Sequence, residues 1–207
     1  AHLNADFSSD NYSASFLAYS PTVTYKEMKL TNLAIQENAD NKAFSLMVTA
    51  DRLNLSDSSY INNIALNNIL ANDSLSFNIE MSEQQATNYL NLNGNIHFAH
   101  NAPAYVKFLP SSIVINNEKW SLNNDALIRV SKGKIYINNL LLNQGQQSVK
   151  LDGILSNEND KLNLLFNKFS LSSLNGITNP FGINLKGYLN GTITINSIFK
   201  TPIASAS

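Results

Sequence analysis

The chain contains no cysteine. Disulfide scaffolds and thiolate metal sites are therefore excluded, and the absence suits an oxidising compartment. Charge is also scarce: Asp, Glu, Lys and Arg make up 14% of the 207 residues, against roughly 25% in average proteins. The net charge is −1. Global attraction to nucleic acid, which needs clustered cations, is missing, and so is an acidic solubilising tail. No apolar run approaches the roughly 18 residues of a membrane-spanning helix. No basic-then-apolar leader opens the sequence, and both ends read as cut ends. What replaces the missing charge is Asn and Ser, with 33 asparagines in all. Disorder does not follow, because hydrophobic residues still reach 43% and are strongly patterned.

The pattern has a period of two. Residues Ile183 to Ile195 alternate apolar or Gly with polar, as do Leu90 to Phe98 and Val149 to Leu155, where Ile154 breaks the polar side. Strict alternation describes strands with one buried and one wet face. Shorter runs repeat it at Phe44/Leu46/Val48, Leu75/Phe77/Ile79/Met81, Ile128/Val130 and Leu162/Leu164/Phe166. Three runs share the form apolar-x-apolar-x-Gly-x-apolar, placing Gly94, Gly153 and Gly187 where sheets approach or bend. No comparably clear helical stretch appears; the best short candidate is around Ser82-Glu83-Gln84-Gln85-Ala86, which reads equally as a loop. Polar turns are expected at 36–41, 71–73, 143–147 and 157–160.

A second motif steps by three. Leu30-Thr31-Asn32-Leu33-Ala34-Ile35, Ile61-Asn62-Asn63-Ile64-Ala65-Leu66 and Ile137-Asn138-Asn139-Leu140-Leu141-Leu142 share it. Phe166-Asn167-Lys168-Phe169-Ser170-Leu171 has Lys at the Asn place. In a flat strand, a step of three throws the next apolar residue onto the wrong face. A bulge or corner restores the facing and bends the strand. Asn tolerates the left-handed backbone that such a corner needs. The sequence therefore predicts long strands that bend partway and keep apolar groups on the concave side, in an antiparallel meander or solenoid without a domain boundary.

Catalytic constellations do not emerge. His97-x-x-His100 lacks a neighbouring carboxylate to complete a metal site and reads as two surface histidines. There is no nucleophile elbow, phosphate loop or His-Glu-x-x-His. The carboxylates are scattered, and Asp152 faces outward from its strand. Trp120 reads as a core or edge anchor in preference to a sugar-stacking platform. Neither an enzyme, a cofactor nor a metal is expected.

The phrases from about Ser111 to Pro202 resemble the repetitive periplasmic region of TamB-like proteins of Bacteroidetes type, within the AsmA-like superfamily. They include Ser111 to Leu122, Ile135-Tyr136-Ile137-Asn138-Asn139-Leu140, Val149-Lys150-Leu151-Asp152-Gly153, Leu162 to Leu174 and Leu185 to Thr192. The earlier half looks like the same repeat with looser phrasing. The resemblance implies an all-β fold: an elongated β-taco, or gutter, of repetitive antiparallel sheet with a concave apolar face. It implies an envelope-spanning carrier, anchored in the inner membrane, that moves phospholipid through the periplasm and supports outer-membrane protein assembly. It also implies an outer-membrane barrel of the TamA family as partner, met through other parts of the full chain. Residues 1–207 would then form a single elongated β-repeat segment, interior to a longer periplasmic protein.

On this reading, phospholipid acyl chains lie along an apolar track, gaining roughly 0.8 kcal/mol per buried methylene. About a dozen to fifteen strands at ~4.8 Å each would span about 60–70 Å. The candidate lining is Leu90, Leu92, Ile96 and Phe98; then Val149, Leu151, Leu155, Leu162, Leu164 and Phe166; then Ile183, Leu185, Leu189, Ile193 and Ile195. Each is equally at home as ordinary packing, so the expectation concerns the set. A competing reading is a closed β-solenoid or adhesin module that binds protein or glycan on its outer face, with Tyr188 and Trp120 as exposed aromatics. A polysaccharide lyase on a β-helix ranks last, for want of clustered carboxylates.

Overall fold

The computed structural model describes residues 1–26, 28–54, 60–82, 88–179 and 182–207, without the side chains of Gly176 and Ile177. The described chain is all-β. In chain order the first strands are β1 (His2–Ser8), β2 (Ser13–Tyr25), β3 (Met28–Ala39), β4 (Ala43–Asn54), β5 (Tyr60–Ala71), β6 (Ser74–Ser82) and β7 (Tyr89–His97). Four short strands follow: β8 (Ala104–Phe108), β9 (Ser112–Ile115), β10 (Glu118–Leu122) and β11 (Leu127–Ser131). Then come β12 (Lys134–Gln144), β13 (Gln147–Leu155) and β14 (Lys161–Ser170). A 3-10 turn over Leu171–Leu174 and a short helix α1 (Asn175–Thr178) precede β15 (Tyr188–Asn196) and β16 (Ile203–Ala206). The helical stretch expected at 82–86 lies, beyond Ser82, outside the described residues.

The strands belong to two compact units. The first comprises residues Ala1–Asn95 and Pro110–Asn117, the second Ile96–Leu109 and Glu118–Ser207. Within the first, β1 to β7 pair in chain order and β9 adds to β7. Within the second, the order is β8-β11-β12-β13-β14-β15-β16, with β10 beside the far half of β12. These pairs are antiparallel, as the alternation and short turns require. Two left-handed residues make two of the two-residue turns: Asn72-Asp73 joins β5 to β6 and Lys132-Gly133 joins β11 to β12. The polar stretch 36–41 is mostly strand; β3 runs through Ala39, and Asp40 turns the chain. The Asp40 Oδ1 accepts the N–H groups of Lys42 and Ala43 at 2.7 and 2.8 Å, which holds its carboxyl below the ordinary value.

The corners stand where the three-residue step places them. Asn32, Asn63, Asn139 and Lys168 all have φ between 48° and 57°. At three of them the ladder slips by one residue. Asn62 to Ala65 opposes Ser82 to Glu80, Ile137 to Leu140 opposes Gly153 to Leu151, and Phe166 to Phe169 opposes Gly191 to Leu189. Three steps on the motif strand match two on its neighbour, which is a bulge. At Asn32 the residue is left-handed but Thr31↔Arg52 and Ala34↔Thr49 keep one register. Lys168 shows that the spacing, more than the identity of the residue, sets the bend.

The asparagine excess is partly a ladder. In the first unit the Asn67 amide donates to Asn78 Oδ1 at 3.0 Å, and Asn78 donates to Asn91 and Asn93, each at 3.0 Å. Asn91 in turn donates to Glu80 Oε1 at 2.6 Å. Side chains that have no packing role thus satisfy one another across three strands. Buried apolar residues are few among the described residues: Ala50, Trp120, Ala126, Ile137 and Phe169.

Candidate functional site

At the two corners of the second unit, a side chain on the neighbouring strand meets a backbone N–H of the corner residue. The Asp152 Oδ1 accepts the N–H of Asn139 at 2.7 Å, and the Asn190 Oδ1 accepts that of Lys168 at 2.7 Å. At the corners of the first unit, the Asn32 side chain donates to Asp51 at 2.6 Å and that of Asn63 to Ser82 at 2.9 Å. Asp152 and Asn190 are each followed by glycine, Gly153 with φ 145° and Gly191 with φ 129°. A Cβ at Gly153 would lie 2.1 Å from the Lys161 carbonyl oxygen, so only glycine lets β13 and β14 approach here. Asp152 also pairs with Lys150 at 3.1 Å. Partial burial alone would raise its pKa; the Asn139 N–H and the Lys150 ammonium outweigh that and hold the carboxyl below its ordinary value.

These corners keep apolar residues in register. Directly opposed residues of an antiparallel ladder share a face. In the second unit one such row is Ile128–Ile137–Gly153–Leu162–Ile195–Ala204. The next is Leu140–Leu151–Leu164–Ile193–Ala206, and a third is Leu122–Leu142–Val149–Phe166–Gly191. Leu155 stands opposite Ile135, and Leu189 opposite Phe169. Nine of the candidates therefore fall into cross-strand rows: Val149, Leu151, Leu155, Leu162, Leu164, Phe166, Leu189, Ile193 and Ile195. All nine are half-buried rather than sealed. The alternate positions Lys150, Asp152, Asn163, Thr192 and Thr194 face the other way, with the Thr194 hydroxyl donating to Asn163 at 2.9 Å.

One end of the rows is closed by aromatics. Trp120 is 1% exposed. Its ring centroid is 5.9 Å from that of Phe169, which lies 5.5 Å from Phe166. Both contacts are tilted, the preferred aromatic arrangement. The Trp120 Nε1 has no hydrogen-bond partner among the described residues. Trp120 is thus the core anchor that the sequence favours, and it is not an exposed sugar platform.

The remaining candidates divide. Leu90 and Leu92 are half-buried on β7, where Leu90 opposes Ile113 and the intervening Asn91 and Asn93 belong to the amide ladder. Ile96 is half-buried near the end of β7, and Phe98 lies beyond it, 41% exposed. The strand expected over Ile183–Ile195 needs correction: β15 starts only at Tyr188. Ile183 is 52% exposed and Leu185 lies in irregular chain. Gly187, with φ 96°, breaks the extension. The Asn175 side chain, on α1, accepts the Leu185 N–H at 2.7 Å and donates to its carbonyl at 3.0 Å, standing in for a strand neighbour. Neither Leu185 nor Ile183 therefore occupies a ladder position in a row.

In the first unit the rows are less continuous. Leu3–Ala18–Ile35–Val48–Leu66–Ile79 runs unbroken across six strands. The adjacent row, Phe16–Glu37–Leu46–Asn68–Phe77, is interrupted twice by polar residues. No three His, Asp or Glu side chains converge in metal-binding geometry among the described residues. No family model, curated protein or solved structure matches the chain.

Proposed function

We propose that this chain is a non-enzymatic stretch of a TamB-like envelope protein, in the periplasm, whose apolar β-rows carry phospholipid acyl chains between the two membranes. The observation that carries the reading is the row Leu140–Leu151–Leu164–Ile193, apolar on four successive strands and only half-buried. Bent strands with one such face form a concave gutter, the taco that the resemblance implies. Exposed apolar area of this extent calls for something to cover it. An acyl chain does so without any specific pocket. Ten methylenes withdrawn from water contribute about 8 kcal/mol, against association costs that start at ~4 kcal/mol. The resulting binding is weak and reversible, as a conduit requires. Support for outer-membrane protein assembly and contact with a TamA-family barrel belong to the same proposal and rest on the resemblance alone.

The test is face-resolved. A phospholipid with a photoreactive group in its acyl chain is irradiated with the detergent-free protein, and the labelled peptides are mapped. Label on Leu151, Leu164 and Ile193, with none on Lys150, Asn163 and Thr194, is the expected result. Equal labelling of both sets, or none, refutes the proposal and returns attention to the outer-face interaction module.

A further inference from the structure

Formal charge is divided sharply between the two units. The first holds four Lys and Arg against ten Asp and Glu; the second holds ten against five. The net values are −6 and +5, hidden within a total of −1. In the second unit, four of the lysines gather where one set of strand ends lies. Lys132 is in the β11–β12 turn, Lys134 and Lys161 open β12 and β14, and Lys200 is in the β15–β16 loop. The registers Ser131↔Lys134, Ile135↔Leu155, Ile154↔Lys161 and Lys161↔Asn196 put these positions along a single rim. Of the two carboxylates there, Asp160 is buried and accepts the Ile198 N–H; Glu158 is exposed. None of the four lysines is ion-paired to a described residue. The opposite ends of the same strands carry the Trp120–Phe169–Phe166 cluster. Between the two ends, Val149 to Leu155 alone offers about 20 Å of apolar strand, comparable with an extended acyl chain.

We propose that the second unit holds anionic phospholipid with a fixed polarity, the headgroup phosphate at the Lys132/Lys134/Lys161/Lys200 rim and the acyl methyl end toward Trp120. This rests on the carrier reading and adds the lipid class and its direction. Lys134 and Lys161 alternate with the row positions Ile135 and Leu162 and so stand on the other face, but at the strand ends a long flexible stem carries its ammonium group round the edge to a phosphate at the margin of the apolar face. Anionic lipid is favoured over zwitterionic lipid because the rim carries more cations than carboxylates.

Trp120 is the only tryptophan, and it reports the polarity directly. The full chain is titrated with phosphatidylglycerol and with phosphatidylcholine, each carrying a nitroxide either at the acyl terminus or on the headgroup. Stronger quenching of Trp120 by the terminal label, and about tenfold tighter binding of phosphatidylglycerol, are expected. Raising salt should abolish that preference in the wild-type protein. Charge reversal of all four lysines (Lys→Glu), with circular dichroism to check folding, should abolish it as well. Stronger quenching by the headgroup label, or equal affinities insensitive to salt, overturns the polarity while leaving the carrier reading intact. No quenching by any of the lipids, together with no photolabelling, overturns both.

Discussion

Replacing Gly153 by Ala tests the architecture at its tightest point. The added Cβ would sit 2.1 Å from the Lys161 carbonyl oxygen and 3.0 Å from the Leu162 Cα. Both neighbours are backbone of β14, paired through Gly153↔Leu162 and Ile154↔Lys161, so neither gives way without opening the ladder. A φ of 145° is itself glycine territory, with strain of order 1–3 kcal/mol for any other residue. Losing one or two ladder hydrogen bonds adds about 1 kcal/mol each. The expected destabilisation is thus about 3–4 kcal/mol, a large part of the ~5–15 kcal/mol that holds a typical domain. Gly133→Ala is the control. Its φ is 72° and no atom of the described residues lies within 4 Å of the new methyl, so only the left-handed penalty of about 1–2 kcal/mol applies. Urea unfolding followed by the emission of Trp120 measures both. A Gly153→Ala protein no less stable than Gly133→Ala would refute the close approach of β13 and β14 at this corner.

Other outcomes follow from the same geometry. Leu164→Asp, in a row, should destabilise by about 2–5 kcal/mol by analogy with core truncation; Leu165→Asp, on the other face and 47% exposed, should stay within about 0.5 kcal/mol, both by urea denaturation. Asp152 has a folded-state pKa below its ordinary 3.8, so its contribution is present above that value and fades as pH falls through the lower folded-state value. Asp152→Asn, which keeps an acceptor for the Asn139 N–H, should therefore flatten the acid limb of the stability curve. Trp120→Ala should cost about 3–5 kcal/mol, and Trp120→Phe distinctly less, because it also removes a buried donor that lacks a partner among the described residues. In the wild-type protein, Trp120 emission should be blue-shifted and shielded from aqueous quenchers, as steady-state fluorescence would show.

Much of the β architecture is legible because its signals are local. A step of three in an alternating strand forces a bulge wherever both apolar residues must stay on one face, and Asn63, Asn139 and Lys168 mark those places. Gly153 is legible as an approach point for the same reason. The failure at Ile183–Lys186 has a physical origin: extended chain alternates whether or not a neighbouring strand pairs with it. What decides is the Asn175 amide and Gly187, whose roles depend on the fold around them. The charge division, by contrast, runs linearly along the chain: residues 1–95 sum to −6 and residues 96–207 to +5, because the stretch 110–117 that returns to the first unit carries no charge. Trp120 meets Phe169 only once β10 is laid beside β12, which no spacing in the sequence announces.

Native mass spectrometry on protein purified without detergent, with organic extraction of whatever is bound, tests the central claim most directly. The account predicts phospholipid adducts on the wild-type protein and on Leu165→Asp, and their loss from a folded Leu164→Asp. A clean unliganded mass for the wild-type protein, unchanged after incubation with phospholipid vesicles, would contradict it.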